Sequence, residues 1–164
     1  MAVSADTLRM HLDYSAWASG RLLETAAKLS GDELLRDFQT ADKNVRDTLA
    51  HIFGADRIWL ARVEGNSPGL YLTEQDRDFP TLQREWPALH KRWGNWAAPL
   101  SDESALEVIA YRDLKGNAWQ QPLWQIILHV VNHATHHRGM VSGFLRTMGH
   151  TPPPLDLIAY YRAL

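Results

Sequence analysis

The chain has 164 residues, of which 45% are hydrophobic and 22% charged, so its length and composition are those of one globular domain spanning residues 1–164. A formal net charge of -2 leaves no excess of positive charge for general nucleic-acid binding. Cysteine is absent, which excludes disulfides, thiolate metal ligands and cysteine nucleophiles. No apolar stretch approaches the roughly 18 residues of a membrane span, and residues 1–6 lack the pattern of a signal peptide. We therefore expect a cytoplasmic protein with no membrane segment.

The hydrophobic pattern of the first half predicts two long helices. The first runs from about Asp6 to Leu29, and the second follows Thr40, a plausible N-cap, and continues to about Gly65. Residues 66–79 form a connector rich in Pro, Gly and Asp. Because this connector is too long for a tight antiparallel turn, it indicates a bundle with at least one crossover connection.

The second half predicts two more long helices separated by a hairpin. The elements in order are a helix over Pro80–Ala98, a hairpin over Leu106–Trp119, a helix over Pro122–Met148 and a short last helix over Leu157–Leu164. Pro80 suits a first helical turn, and Asp156 is a plausible N-cap of the last helix. The sequence therefore predicts an all-α four-helix bundle with a small β-hairpin before the last long helix.

Four of the eight histidines fall within nine residues of that last long helix: His129, His133, His136 and His137. With about 100° of rotation per residue and His129 at zero, His133 points near +40°, His137 near +80° and His136 near −20°. The apolar side chains of the helix centre on about +60° to +120°. His133 and His137 thus stand within the apolar face, one turn apart, while His129 and His136 lie on its edge.

Two buried imidazoles at positions i and i+4 favour a metal site, because their nitrogens can converge on one ion. A pair of hydrogen-bonded core histidines is the alternative. A third ligand has to come from another helix. His51 lies on the flank of the apolar face of the second helix, and a partly exposed helical histidine is its simpler interpretation. His11 is another candidate, whereas His90 falls in a charged segment and His150 in a proline-rich loop.

Several segments resemble the DinB family of bacterial metal-binding four-helix bundles (the DinB/YfiT-like fold) along nearly the whole chain. They are residues 12–23, with the Tyr-x-x-Trp-Ala core of the family's opening helix, residues 49–53, residues 132–139, and the tail with Pro153, Asp156 and Tyr160. The resemblance implies that His51, His133 and His137 are the metal ligands. Ser15 and Ser19 stand where relatives commonly carry asparagine, and Met140 stands where a glutamine is common. These differences bear on the substrate more than on the metal.

Three neutral imidazoles favour Zn²⁺, Ni²⁺ or another late transition ion over Mg²⁺ or Ca²⁺, and three protein ligands leave one coordination position open. The family resemblance implies a metal-dependent thiol transferase, with a low-molecular-weight thiol such as bacillithiol or mycothiol as cosubstrate, or a hydrolase. The alternative is a non-enzymatic, stress-associated or binding bundle with a structural metal. No catalytic residue is evident, although Asp47, one turn before His51, is the nearest candidate base.

Seven tryptophans are many for 164 residues. Large aromatic side chains left on a surface often mark partner contacts, so they favour a homodimer, as does the family resemblance. The candidates are Trp86, Trp93, Trp96, Trp119 and Trp124, although the first three are also the buried candidates of the helix over Pro80–Ala98. The alternative is a tryptophan-rich core within one chain.

Overall fold

The computed structural model describes residues 3–164. Residues 1 and 2 lie outside the described residues. They belong to residues 1–6, which lack the pattern of a signal peptide. Six α-helices and one two-stranded sheet follow in chain order: α1 (Ala5–Ala26), α2 (Gly31–Leu35), α3 (Val45–Val63), α4 (Phe79–Ala97), β1 (Val108–Arg112), β2 (Ala118–Pro122), α5 (Leu123–Thr147) and α6 (Leu157–Tyr161). Short 3-10 helices at Gln75–Arg77 and Ser104–Leu106 complete the set. The predicted four-helix bundle with a hairpin is confirmed.

The four long helices form a closed ring of neighbours. Helix α1 packs on α5 and α4, and α3 packs on the same two helices from the other side, so that α1 lies diagonally opposite α3. The connector over residues 64–78 joins neighbouring helices, α3 and α4. The connections that cross the bundle are instead the one through α2, between α1 and α3, and the one through the hairpin, between α4 and α5. The sequence indicated a crossover but not these two places.

Polar caps define where the long helices begin. The Ser4 side chain accepts a hydrogen bond from the Thr7 N–H at the start of α1, and Asp78 accepts from the Thr81 N–H at the start of α4. Helix α3 begins after Asn44, whose side chain accepts from the Asp47 N–H, and not after Thr40 as predicted. Lys43 has a φ of 63°, which a right-handed helix cannot include, so the helix cannot extend back through it.

Two buried tryptophans join α4 to α3. Trp86 and Trp93 are 0% and 2% exposed, and their indole N–H groups donate to the carboxylate and the backbone carbonyl of Asp56 respectively, at 2.9 and 3.0 Å. They are therefore core residues, which confirms them as buried candidates of this helix and excludes them from a dimer surface. Of the other candidates, Trp96 and Trp124 are half-buried and Trp119 is 50% exposed.

The hairpin forms as predicted, with a turn held by Asp113. Its carboxylate accepts hydrogen bonds from the backbone N–H groups of Lys115 and Asn117, and Gly116 supplies the positive φ of 85°. Strand β2 extends to Pro122, three residues past the predicted end at Trp119, and α5 follows at once. Within residues 3–164, no helix has both the length and the hydropathy of a membrane span.

Candidate metal centre

Three histidines from two helices meet at one point of the bundle. Helix α3 contributes His51, and α5 contributes His133 and His137 one turn apart. One nitrogen from each ring lies within 4.8 Å of the others, and the Nε2 atoms of His51 and His133 are 3.0 Å apart. The ring centroid of His137 lies 4.3 Å from that of His51 and 4.6 Å from that of His133. The structure thus brings together the three histidines singled out by the sequence.

The spacing and the chemistry of the three rings suit a transition-metal ion. Imidazole nitrogens bind Zn²⁺ at about 2.0–2.1 Å, which places two nitrogens of a tetrahedral site about 3.3 Å apart. The 3.0 Å between the Nε2 atoms of His51 and His133 is close to that value. Two imidazole lone pairs facing each other repel unless a proton or a cation lies between them. All three donors are nitrogens, which is the ligand type that Zn²⁺, Ni²⁺ and their neighbours prefer.

The pKa values of the two α5 histidines are lowered, which keeps both rings neutral at neutral pH. Burial, with the nearby rings of His137 and His51, lowers the pKa of His133 from 6.5 to about 4. Burial and the His51 ring also lower the pKa of His137, although the carboxylate of Asp42 opposes that shift. A neutral ring is the form that binds a metal. The Nδ1 atoms of His133 and His137 are buried and have no hydrogen-bond partner among the described residues.

A carboxylate and a phenol that the sequence did not indicate complete the surroundings of the cluster. Asp42, in the loop before α3, places Oδ1 3.8 Å from Nδ1 of His51 and Oδ2 3.3 Å from Nδ1 of His137. The hydroxyl of Tyr71, in the connector before α4, lies 3.4 Å from Nδ1 of His51. Neither residue belongs to a metal-binding sequence motif or lies at helical spacing from a histidine ligand. Only the folded structure therefore identifies them.

Asp47, the candidate base, lines the same cavity as His51, but its carboxylate is paired with other side chains. Its carboxylate accepts hydrogen bonds from Asn44 and Arg46 and lies 3.4 Å from Arg77. Burial raises the pKa of Asp47, but these hydrogen bonds and the two guanidinium groups outweigh it and hold the pKa below its usual value. Asp47 is therefore an ion-pair residue at the start of α3, and the structure does not support it as a base.

The other histidines lie outside the cluster. His129 and His136, which the helical wheel places on the edge of the apolar face, are exposed, and His129 packs edge-on against Trp59 with ring centroids 5.1 Å apart. The remaining three contact other residues, away from the cluster: His11 the Thr7 carbonyl, His90 the Asp56 carboxylate, and His150 the Glu33 carboxylate.

Ser15 and Ser19 contact Arg138, the residue that follows His137. The guanidinium of Arg138 is 1% exposed and donates to the hydroxyls of Ser15 and Ser19 at 3.0 and 3.2 Å. No carboxylate of the described residues forms an ion pair with it at 4 Å or less. The two serines therefore help to fix α5 against α1, whereas Met140 is half-buried against the core.

One cavity reaches the histidine cluster from solvent. It measures about 440 Å³ and is lined by charged and polar side chains, among them Asp42, Lys43, His51, Tyr71 and Arg77. A larger cavity of about 1070 Å³ lies between α1, α5 and the proline run, and none of the three clustered histidines lines it. The smaller cavity is therefore the one relevant to chemistry at the cluster.

Comparison with known proteins places the chain in a family. The model of the DinB family matches residues 1–163. The protein DinB of Bacillus subtilis (strain 168) is 21% identical over 156 residues, which cover 90% of this chain and 90% of that protein. The crystal structure of a DinB-like protein from Bacillus cereus ATCC 10987 superimposes with a TM-score of 0.64 at 18% identity, covering 94% of this chain and 99% of the other. The chain belongs to the DinB family.

Proposed function

We propose that His51, His133 and His137 bind one divalent transition-metal ion, Zn²⁺ or Ni²⁺, and that the protein is a metal-dependent enzyme of the thiol-transferase or hydrolase type. The observation that carries the proposal is the convergence of three imidazole nitrogens within 4.8 Å of one another. Two of these rings are held neutral by burial, so protons compete weakly for their lone pairs near pH 7.

The number of protein ligands favours a catalytic use of the site. Three protein ligands leave a fourth position for water or a substrate atom, and a bound divalent ion lowers the pKa of such a water to near neutrality or stabilises a thiolate. The cavity beside His51, about 440 Å³, is large enough for a small molecule to enter from solvent. Because the chain has no cysteine, a thiolate has to be supplied by a low-molecular-weight thiol cosubstrate.

The metal site is tested by elemental analysis of protein purified without an affinity tag, together with single-alanine variants. His133→Ala and His137→Ala should abolish tight metal binding, because two imidazoles hold an ion poorly. His129→Ala and His136→Ala are the matched controls on the same helix, and both should retain one ion per chain. Loss of the ion from His136→Ala but not from His137→Ala would overturn the assignment.

The reaction class is tested separately. Protein loaded with Zn²⁺ or Ni²⁺ is incubated with a panel of electrophiles and thiols, and with a panel of esters and amides, beside protein stripped by a chelator. Metal-dependent loss of substrate in either panel supports an enzyme of the corresponding class. Tight metal binding that raises thermal stability without turnover in either panel would favour the alternative, a bundle in which the metal only joins α3 to α5.

A further inference from the structure

We propose that Asp42 is a positioning residue of the metal centre, whose carboxylate accepts the Nδ1 protons of His51 and His137 in the metal-bound protein and so turns both Nε2 atoms toward the ion. This inference depends on the metal site proposed above. It assigns a role to a loop residue that lies outside the three-histidine set.

The placement of the carboxylate is the first support. Each of its oxygens faces a different ring, with Oδ2 3.3 Å from Nδ1 of His137 and Oδ1 3.8 Å from Nδ1 of His51. The Nε2 atom of His51 faces His133 instead. In His51, therefore, the nitrogen that faces the cluster and the nitrogen that faces Asp42 are on opposite sides of the ring. One carboxylate can thus orient two rings that come from different helices.

The absence of a competing partner is the second support. Asp42 is only 18% exposed, yet among the described residues the ionisable groups within 4 Å of its carboxylate are the two histidines. The nearby guanidinium groups of Arg46 and Arg77 pair with Asp47 instead. A partly buried carboxylate without a cation has to be stabilised by hydrogen-bond donors, and the imidazole N–H groups are the ones available.

The conformation of the loop is the third support, because it fixes where Asp42 lies. The Asn44 N–H donates to the Asp42 carbonyl at 2.7 Å, and the Phe38 N–H donates to the Lys43 carbonyl at 2.7 Å. Phe38 stacks on Phe144 of α5 with ring centroids 4.3 Å apart and an interplanar angle of 6°. Lys43 adopts the left-handed region, with a φ of 63°, which a non-glycine residue occupies only when its surroundings enforce it. The loop is thus anchored to the same helix that carries His133 and His137.

The expected consequence follows from how imidazole binds metals. A ring that coordinates through one nitrogen carries its proton on the other, and a carboxylate that accepts this proton fixes the ring orientation and strengthens the bond to the ion. The hydroxyl of Tyr71, 3.4 Å from Nδ1 of His51, is a rival acceptor for one ring only. At His51 the Tyr71 oxygen is the nearer of the two, but a charged acceptor makes the stronger hydrogen bond, so the Asp42 contact should shorten and prevail once an ion is bound.

The test measures Zn²⁺ affinity by competition with a chromophoric chelator for the full-length protein and four variants. Asp42→Ala should weaken binding by about 10–100-fold at unchanged stoichiometry. Asp42→Asn should recover part of that loss, because its amide oxygen still accepts a hydrogen bond. Asp47→Ala, which removes a carboxylate lining the same cavity, and Tyr71→Phe should change the affinity much less. Thermal unfolding of the ion-free proteins checks that each variant is folded.

A second readout separates orientation from a general effect on stability. In Co²⁺-loaded protein, the exchangeable Nδ1 protons of the ligand rings give strongly shifted proton resonances. Two of these resonances should broaden or vanish through solvent exchange in Asp42→Ala and persist in Asp47→Ala. If Asp42→Ala has the Zn²⁺ affinity and the proton resonances of the wild type, the inference about Asp42 is overturned and the metal site remains. If the wild-type protein binds neither Zn²⁺ nor Co²⁺, the proposed function itself is overturned.

Discussion

Gly54 provides a sharp test of the packing between α3 and the connector that carries Tyr71. A Cβ at this position would lie 2.7 Å from Cδ2 of Tyr71 and 2.8 and 2.9 Å from Cγ and Cδ2 of Leu72, all closer than real carbon contacts. Overpacking of this kind costs about 1–3 kcal/mol. Alanine also gains about 0.5–1 kcal/mol over glycine inside a helix, which offsets part of the cost. Gly54→Ala should therefore lower the free energy of unfolding by about 1 kcal/mol.

Gly143→Ala is the matched control, because Gly143 lies inside α5 and no heavy atom lies within 4 Å of its added Cβ. This variant should gain the full helix-propensity term of about 0.5–1 kcal/mol. The two variants should thus differ by the steric cost alone, about 1–3 kcal/mol, which urea unfolding of the ion-free proteins measures. A difference below about 0.5 kcal/mol would refute the close contact between α3 and the connector.

Three further predictions concern protonation, the buried guanidinium and assembly. In protein stripped of metal, an NMR titration should give His133 a pKa near 4 and His137 a pKa below 6.5. Because the unfolded chain binds more protons than the folded one between about pH 6.5 and 4, the free energy of unfolding should fall as the pH drops through this range. Titration of both rings at 6.5 would contradict their burial. Ser15→Ala should lower the free energy of unfolding, measured in urea, by about 1.5–3 kcal/mol, because the buried guanidinium of Arg138 loses a hydrogen-bond acceptor at 3.0 Å. A loss under about 0.5 kcal/mol would count against Ser15 as an acceptor that stabilises Arg138. Light scattering should give twice the 18.7 kDa of one chain if the hairpin, which exposes Trp119 on one face (50%) and Val108 on the other (61%), pairs two copies. A mass of 18.7 kDa would end the homodimer proposal.

The long helices and two of the three clustered histidines could be predicted from the sequence because both depend on local periodicity. His133 and His137 interrupt the apolar face of α5, and a helical wheel alone places them together. His51 is different, since its half-buried position on α3 is compatible with an ordinary surface histidine. The residues alone made it the best of several third-ligand candidates, the family resemblance then selected it, and the structure brings its Nε2 to 3.0 Å from that of His133.

The residues around the cluster could not be predicted, because loops position them. Asp42 precedes α3 in a segment whose path depends on the positive φ of Lys43 and on the packing of Phe38 against α5. No short-range pattern encodes that path, and the misplaced start of α3 at Thr40 followed from the same segment. Asp47 seemed the nearer carboxylate by helical spacing, but Asn44 and Arg46 occupy it with hydrogen bonds.

The most direct test of the metal site is a crystal structure of protein grown with Zn²⁺, with diffraction data collected on either side of the zinc absorption edge. The anomalous difference map should show one strong peak per chain, with nitrogens of His51, His133 and His137 about 2.0–2.1 Å from it. A fourth position should be open to the cavity that Asp42 and Tyr71 line. A map in which zinc lies only on the exposed His129 or His136, with no peak between α3 and α5, would contradict the proposed site.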